Sequence, residues 1–93
     1  MLAEPLSPPD ARKLIREIAE NGEVQFSRHA RAEMQADGLE PPAVMAVLCG
    51  GIVEPAELER GSWRYRVRAG RVYVVVAFRS EVLAMVITAW RTR

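Results

Sequence analysis

Residues 62–78 read SWRYRVRAGRVYVVVAF, and this stretch decides the fold. Its first half alternates aromatic or aliphatic residues with arginines, which is the period of a strand that buries one face. Its second half, Val72 to Phe78, is almost wholly apolar, as in a central strand covered on both faces. Ala69-Gly70 between the halves is typical of a tight hairpin turn. The stretch therefore predicts two neighbouring antiparallel strands.

Further strands are predicted on both sides of this hairpin. Val82 to Trp90 is an apolar run that follows a turn at Ser80-Glu81. Ile52 to about Leu58 also favours a strand, but Pro55 interrupts it and places it at an edge or a bulge. We therefore expect an antiparallel sheet of three or four strands.

The N-terminal half has the spacing of helices. Ser7 can cap a helix that continues to about Glu20, and Ser27 can cap a second one over 28–36. Pro41-Pro42 opens a third, which Gly50-Gly51 ends. Helices followed by strands predict an α+β fold with the N-terminal helices packed on one face of the sheet. We expect a single domain over 1–93, with residues 1–9 as a flexible N-terminus.

Charge is distributed unevenly along the chain. Residues 60–93 hold eight arginines and one glutamate, whereas residues 1–59 hold five basic and eleven acidic residues. Guanidinium groups bind phosphate and carboxylate through paired hydrogen bonds. The arginine-rich half therefore favours an anionic partner such as RNA or an acidic protein, and the alternative is a solvated sheet face.

Cysteine content and hydropathy limit the location of the protein. Cys49 is the single cysteine, so no internal disulfide is possible. No basic region followed by an apolar run opens the chain, and no apolar stretch is long enough to span a bilayer. We predict a cytoplasmic protein without a membrane partner.

The single histidine, His29, lies at the start of the second predicted helix between Arg28 and Arg31. RNA cleavage by the 2′-hydroxyl needs a base, a proton donor and positive charge on the phosphorane, and imidazole with arginines can supply these. Arg64, Arg66 and Arg68 would project from one strand face about 7 Å apart, close to the spacing of successive phosphates. The alternatives are a histidine that orders the helix start and a charged solvent face.

Aromatic residues of the predicted strands could stack on bases. Residues such as Trp63, Tyr73 and Trp90 are more often part of the core or of cross-strand pairs. Tyr65 is the better candidate for a role at a site, because its hydroxyl could reach the edge of the sheet.

The residues resemble a known family at this point. Phe26-Ser27-Arg28-His29-Ala30, then 63–67 and 86–90, follow in order the pattern of a bacterial family of domains of unknown function that opens with F-S-x-H-A. That family is commonly placed near the MqsR and RelE toxins. The resemblance covers roughly residues 12–91.

The resemblance implies a RelE-like fold and a toxin that cleaves mRNA without a metal or another cofactor. It also implies a cognate antitoxin protein as a partner. In that picture His29, Arg64 and Arg66 approach the scissile phosphate and Tyr65 lies nearby. Further contacts to RNA would come from six residues: Arg28, Arg31, Arg68, Arg79, Thr88 and Arg91.

Two departures from the pattern leave other functions open. Relatives often carry arginine where this chain has Glu33 and Asp37. A catalytically inactive module that binds RNA or protein is therefore an alternative. A homodimer formed through an exposed edge of the last strand, which carries Trp90, is a third hypothesis.

Overall fold

The computed structural model describes residues 2–93 as three helices and six strands. The helices are α1 (Pro8–Asn21), α2 (Arg28–Ala36) and α3 (Pro41–Gly50). The strands are β1 (Glu23–Phe26), β2 (Ile52–Val53), β3 (Glu57–Glu59), β4 (Ser62–Ala69), β5 (Val72–Phe78) and β6 (Leu83–Arg91). The predicted α+β class is confirmed.

The sheet is larger than predicted, and it is mixed. Its order is β1-β6-β5-β4-β2, and β3 also pairs with β4. The expectation of three or four antiparallel strands is wrong because β1 runs parallel to β6 and pairs Glu23–Phe26 with Leu83–Val86. Pro55 lies between two short strands, so the single strand predicted over 52–58 is split into β2 and β3. The hairpin turn lies at Gly70-Arg71, one residue later than predicted, with Gly70 at φ +58°.

Capping signals in the sequence set the helix ends. Ser7 Oγ accepts a hydrogen bond from Asp10 N, and Ser27 Oγ accepts one from Ala30 N at 3.0 Å. Gly51 follows α3 in tight contact, because a Cβ placed there would lie 2.6 Å from Val47 O and 2.8 Å from Arg68 O. The helix can therefore approach β4 closely only with glycine at this position.

One face of the sheet carries the core. Buried side chains of α1 and α3, such as Ile18 and Val44, pack with alternate residues of the strands. Those strand residues include Tyr65, Val67, Val74, Val76 and Val86. Leu2 and Leu6 pack against the same core, and Met1 lies outside the described residues. The arginine side of β4 is therefore the face away from α1 and α3.

A β-bulge in β6 reverses which side chains face the core. Val76 is paired with Val86, but Val75 is paired with Thr88, so Ile87 has no partner in the register. Simple alternation from Ala84 and Val86 would place Thr88 in the core. The bulge instead buries Ala89 and turns Thr88 and Trp90 to the same side as Val75.

Helix α2 lies beside β6 rather than on the core face alone. Ser27 N donates to Val86 O at 2.9 Å, and Ser27 Oγ donates to Ile87 O at 2.8 Å. β1 ends at Phe26, and α2 then lies along the part of the β6 edge with which a longer β1 would have paired. No helix in residues 2–93 is long and apolar enough to cross a membrane.

Candidate functional site

The arginine face of the sheet contains a small hollow of about 190 Å³. Val75 of β5 forms part of its lining, β3 and β4 border one side, and β6 borders the other. The side chains around it come from Glu57, Glu59, Arg64, Arg66, Thr88 and Trp90. The hollow is smaller than a typical small-molecule pocket.

The row of arginines on β4 is observed as predicted, on the face opposite Tyr65 and Val67. Arg66 and Arg68 keep 43% and 44% of their side-chain surface exposed, whereas Arg64 keeps 23%. Arg64 Nε is buried without a hydrogen-bond partner in residues 2–93. A buried donor without a partner is unusual in a folded protein.

Glu54, which directly follows β2, and Glu59 of β3 pair with this row. Glu54 Oε1 accepts hydrogen bonds from Arg66 Nε at 2.9 Å and Nη2 at 2.7 Å, and Glu54 Oε2 accepts one from Arg68 Nε at 3.1 Å. These contacts with Glu54 raise the pKa of Arg66. Glu59 Oε2 lies 3.6 Å from Arg64 Nη1. The +7 charge counted along residues 60–93 is therefore not presented as an uncompensated positive surface.

His29 lies near the β6 side of the hollow and is exposed over 70% of its side chain. Its Nε2 is 3.3 Å from Glu33 Oε1. The same oxygen accepts hydrogen bonds from Thr88 Oγ1 and, at 3.3 Å, from Ala89 N. Glu33 therefore joins the imidazole to a residue that lines the hollow.

Glu33 and Asp37 also cap the edge of β6. The backbone N–H groups of Ala89 and Arg91 point toward α2, and Asp37 Oδ2 accepts from Arg91 N at 2.9 Å. One helical turn of four residues advances about 6 Å, close to the two-residue repeat of a strand. Helix α2 therefore supplies acceptors to two backbone N–H groups of the β6 edge, and the homodimer through this edge stays a hypothesis.

Removing the Glu33 carboxylate should destabilise the protein. In Glu33→Ala the amide of Ala89, a fully buried residue, loses its acceptor, and we expect a loss of about 1–3 kcal/mol in the free energy of unfolding. Urea unfolding followed by circular dichroism measures it. Gln35→Ala on the exposed side of α2 is the matched control, and equal stability of the two variants would contradict the capping role.

The structure separates the other residues predicted for the site. Arg28 is exposed beside His29, Arg31 lies over the Phe26 ring at 5.7 Å, and Arg79 borders a different concavity with Leu2 and Glu4. Arg91 Nη1 donates to Asp37 O at 3.2 Å at the far end of α2. Only Arg64, Arg66 and Thr88 of the predicted set line the hollow.

Tyr65 does not lie with these residues. It is fully buried on the core face, where its hydroxyl accepts from Leu6 N and donates to Glu4 Oε2, both at 2.9 Å. Burial is the main cause that raises the pKa of Tyr65 to about 12; Glu4 adds to the effect and Leu6 opposes it. Tyr65 therefore holds the N-terminal segment on the core, and we exclude it from the candidate site.

The hollow also contains residues that the sequence reasoning missed. Glu57 and Glu59 alternate on β3 and share the face of Arg64, which is the register partner of Glu57. The i, i+2 spacing of the two glutamates was a usable signal for a shared face.

Trp90 stacks on Tyr73 with ring centroids 5.2 Å apart and planes 6° apart, and Arg66 lies over the Tyr73 ring at 5.8 Å.

A comparison with protein families matches residues 26–91 to the model of a domain of unknown function, DUF4258. The chain belongs to the DUF4258 family. The match runs from the last residue of β1 to the last residue of β6, so α1 lies outside it. It includes His29, Glu33, the arginine row and Thr88. Comparisons with curated proteins and with solved structures gave no match.

Proposed function

We propose that this DUF4258 protein is a metal-independent endoribonuclease of the toxin type, which cleaves RNA on the open face of its sheet. The observation that carries the proposal is the shared oxygen of Glu33. It contacts His29 Nε2 and Thr88 Oγ1, and Thr88 lines the same hollow as Arg66. A proton acceptor and a phosphate-binding group thus belong to one surface.

The distances suit a single nucleotide. Thr88 is paired with Val75, and Val75 is paired with Arg66, so two strand spacings put the Cα atoms of Thr88 and Arg66 about 10 Å apart. The long side chain of Arg66 can extend over part of this distance toward Thr88. A phosphate could therefore contact Arg66 while its ribose lies toward His29.

The proposed reaction is transesterification by the ribose 2′-hydroxyl. With Nε2 turned to Glu33, Nδ1 of His29 takes the 2′-hydroxyl proton as O2′ attacks phosphorus. The bond from phosphorus to the 5′ oxygen breaks, leaving a 2′,3′-cyclic phosphate. Arg66 stabilises the charge of the phosphorane, and because guanidinium does not give up its proton, the leaving oxygen takes one from water.

A binding module without catalysis is the second candidate, because Glu54 already neutralises Arg66, the residue that would stabilise the phosphorane. Glu54 holds Arg66 and Arg68 as a phosphate would, so RNA must displace a carboxylate to use them. An acidic antitoxin or another partner would meet the same competition. The cytoplasmic location and a cognate antitoxin remain parts of the proposal.

One experiment separates the two candidates. The purified protein is incubated with a single-stranded mRNA fragment in EDTA, and products are tested for 2′,3′-cyclic ends. Cleavage that persists in EDTA and decreases in Arg66→Ala supports the ribonuclease. Binding of RNA in a filter assay with no cleavage supports the module. Neither binding nor cleavage contradicts the ribonuclease and the RNA-binding form of the module.

A further inference from the structure

The hollow has a balanced set of donors and acceptors rather than a net charge. Two arginines, Arg64 and Arg66, and two glutamates, Glu57 and Glu59, line it together with Val75, Thr88 and Trp90. Carboxylates beside a phosphate would repel it. The interior of the hollow therefore suits a neutral planar group with hydrogen-bonding edges, while a phosphate would lie outside, at the exposed Arg66.

We infer that the hollow is a specificity site for the guanine base of RNA. This inference rests on the proposed function in one respect, namely that the open face binds RNA. It adds the identity of the base, the side chains that read it and the side chain that stacks on it.

Guanine matches this pairing of guanidinium and carboxylate better than the other bases. Its O6 and N7 are neighbouring acceptors, the pattern that arginine reads with paired donors. Its N1–H and N2–H₂ are neighbouring donors, the pattern that a carboxylate accepts with both oxygens. Adenine has no acceptor at the position of O6, and the pyrimidines have no N7.

Arg64 and Glu57 are the two residues assigned to these edges. They are cross-strand register partners on the same face, and both line the hollow. Arg64 Nε is buried and lacks a partner in the described structure, so a small shift of the side chain toward the hollow would let guanine O6 or N7 supply the missing acceptor. Arg64 Nη1 stays near Glu59, which leaves Glu57 for N1–H and N2–H₂.

Trp90 supplies the flat surface for stacking. It lines the hollow, and its ring is held by the parallel contact with Tyr73. A rigid indole next to cationic side chains is a favourable surface for an unpaired base. The bulge at Ile87 matters here, because it places Trp90 on this face of the sheet.

Trp90 fluorescence tests the inference without any RNA cleavage. Trp63→Phe leaves Trp90 as the sole tryptophan, and the probes are GMP, IMP and AMP. We expect GMP to quench Trp90 at concentrations about tenfold or more below those of AMP, since a paired contact discriminates by that order. IMP, which lacks the N2 amino group, should lie between them.

Variants test whether Glu57 recognises the guanine base. Glu57→Gln should bring the affinity for GMP close to that for IMP, and the exposed Glu20→Gln of α1 should change neither. If Trp63→Phe does not fold, isothermal titration of the wild type with the same nucleotides replaces it. Equal affinities for the three nucleotides, or no binding of any of them, would overturn the guanine site.

The nucleotide-binding result can be interpreted separately from the proposed ribonuclease activity. Selective binding of GMP by a protein that cleaves no RNA would keep the guanine site and remove the activity. Cleavage at all four bases without preference, together with equal nucleotide affinities, would keep the activity and remove the guanine site.

Discussion

Replacing His29 with alanine is expected to lower the rate of RNA cleavage by about 10²- to 10⁴-fold, the usual contribution of a general base. The imidazole is the one histidine of the chain, and 70% of its side chain is exposed, so the substitution removes little packing. Its contact with Glu33 fixes one ring nitrogen and leaves the other for substrate. Initial rates on a labelled single-stranded RNA in EDTA measure the effect.

Two controls make the His29 result specific. Gln35→Ala on the same helix should cleave like the wild type, and circular dichroism should show His29→Ala to be folded. Cleavage at the wild-type rate by a folded His29→Ala protein would exclude the imidazole as the base. The cleavage would then require a proton acceptor other than His29.

Replacing Tyr65 with alanine should cost about 3–5 kcal/mol in the free energy of unfolding, as for other large buried aromatics. The side chain is fully buried, and its ring lies 5.0 Å from that of Phe78. A loss of this size approaches the whole stability of many small domains. Thermal and urea unfolding measure it, and an alanine variant as stable as the wild type would contradict the core assignment.

Tyr65→Phe separates the hydroxyl from the ring. It should cost about 1 kcal/mol, the usual net value of a hydrogen bond, and leave RNA cleavage unchanged because the hydroxyl faces Glu4 and Leu6. The folded-state pKa of about 12 exceeds the unfolded value of 10, so this hydroxyl stabilises the fold below pH 10. That contribution is lost as pH rises from 10 through 12, and Tyr65→Phe should lack this part of the pH dependence.

Local signals predicted the helices well. Ser27 predicted the start of α2, and the predicted range 28–36 matches the observed helix Arg28–Ala36. The alternation of 62–68 correctly separated Arg64, Arg66 and Arg68 from Tyr65 and Val67. These features depend on capping and on side-chain period, which neighbouring residues determine.

Long-range pairing accounts for most of what was missed. The four residues of β1 are too few to indicate a parallel partner sixty residues later. The bulge at Ile87 cannot be recognised in the sequence, because the residues around it are nearly all apolar. The contact of Glu54 with Arg66 and Arg68 exists only because β2 and β4 pair. Counting charge along the chain therefore overstated the positive surface.

Glu33 and Asp37, where the family resemblance implies arginine in relatives, each have a structural role in this chain. Both accept backbone N–H groups of β6, so their acidity completes the sheet rather than merely removing positive charge. Glu33 in addition contacts His29. The departure thus changes the environment of the proposed base as well as the edge of the sheet.

The carboxylates that α2 presents to β6 have a consequence for molecular evolution. A mutation at position 33 would simultaneously alter the solubility of the domain, by freeing a site for intermolecular strand addition, and the orientation of the imidazole. Selection against aggregation and selection for the proposed catalysis would therefore act on the same codon. An arginine at that position should be tolerated only together with a compensating acceptor for the Ala89 amide.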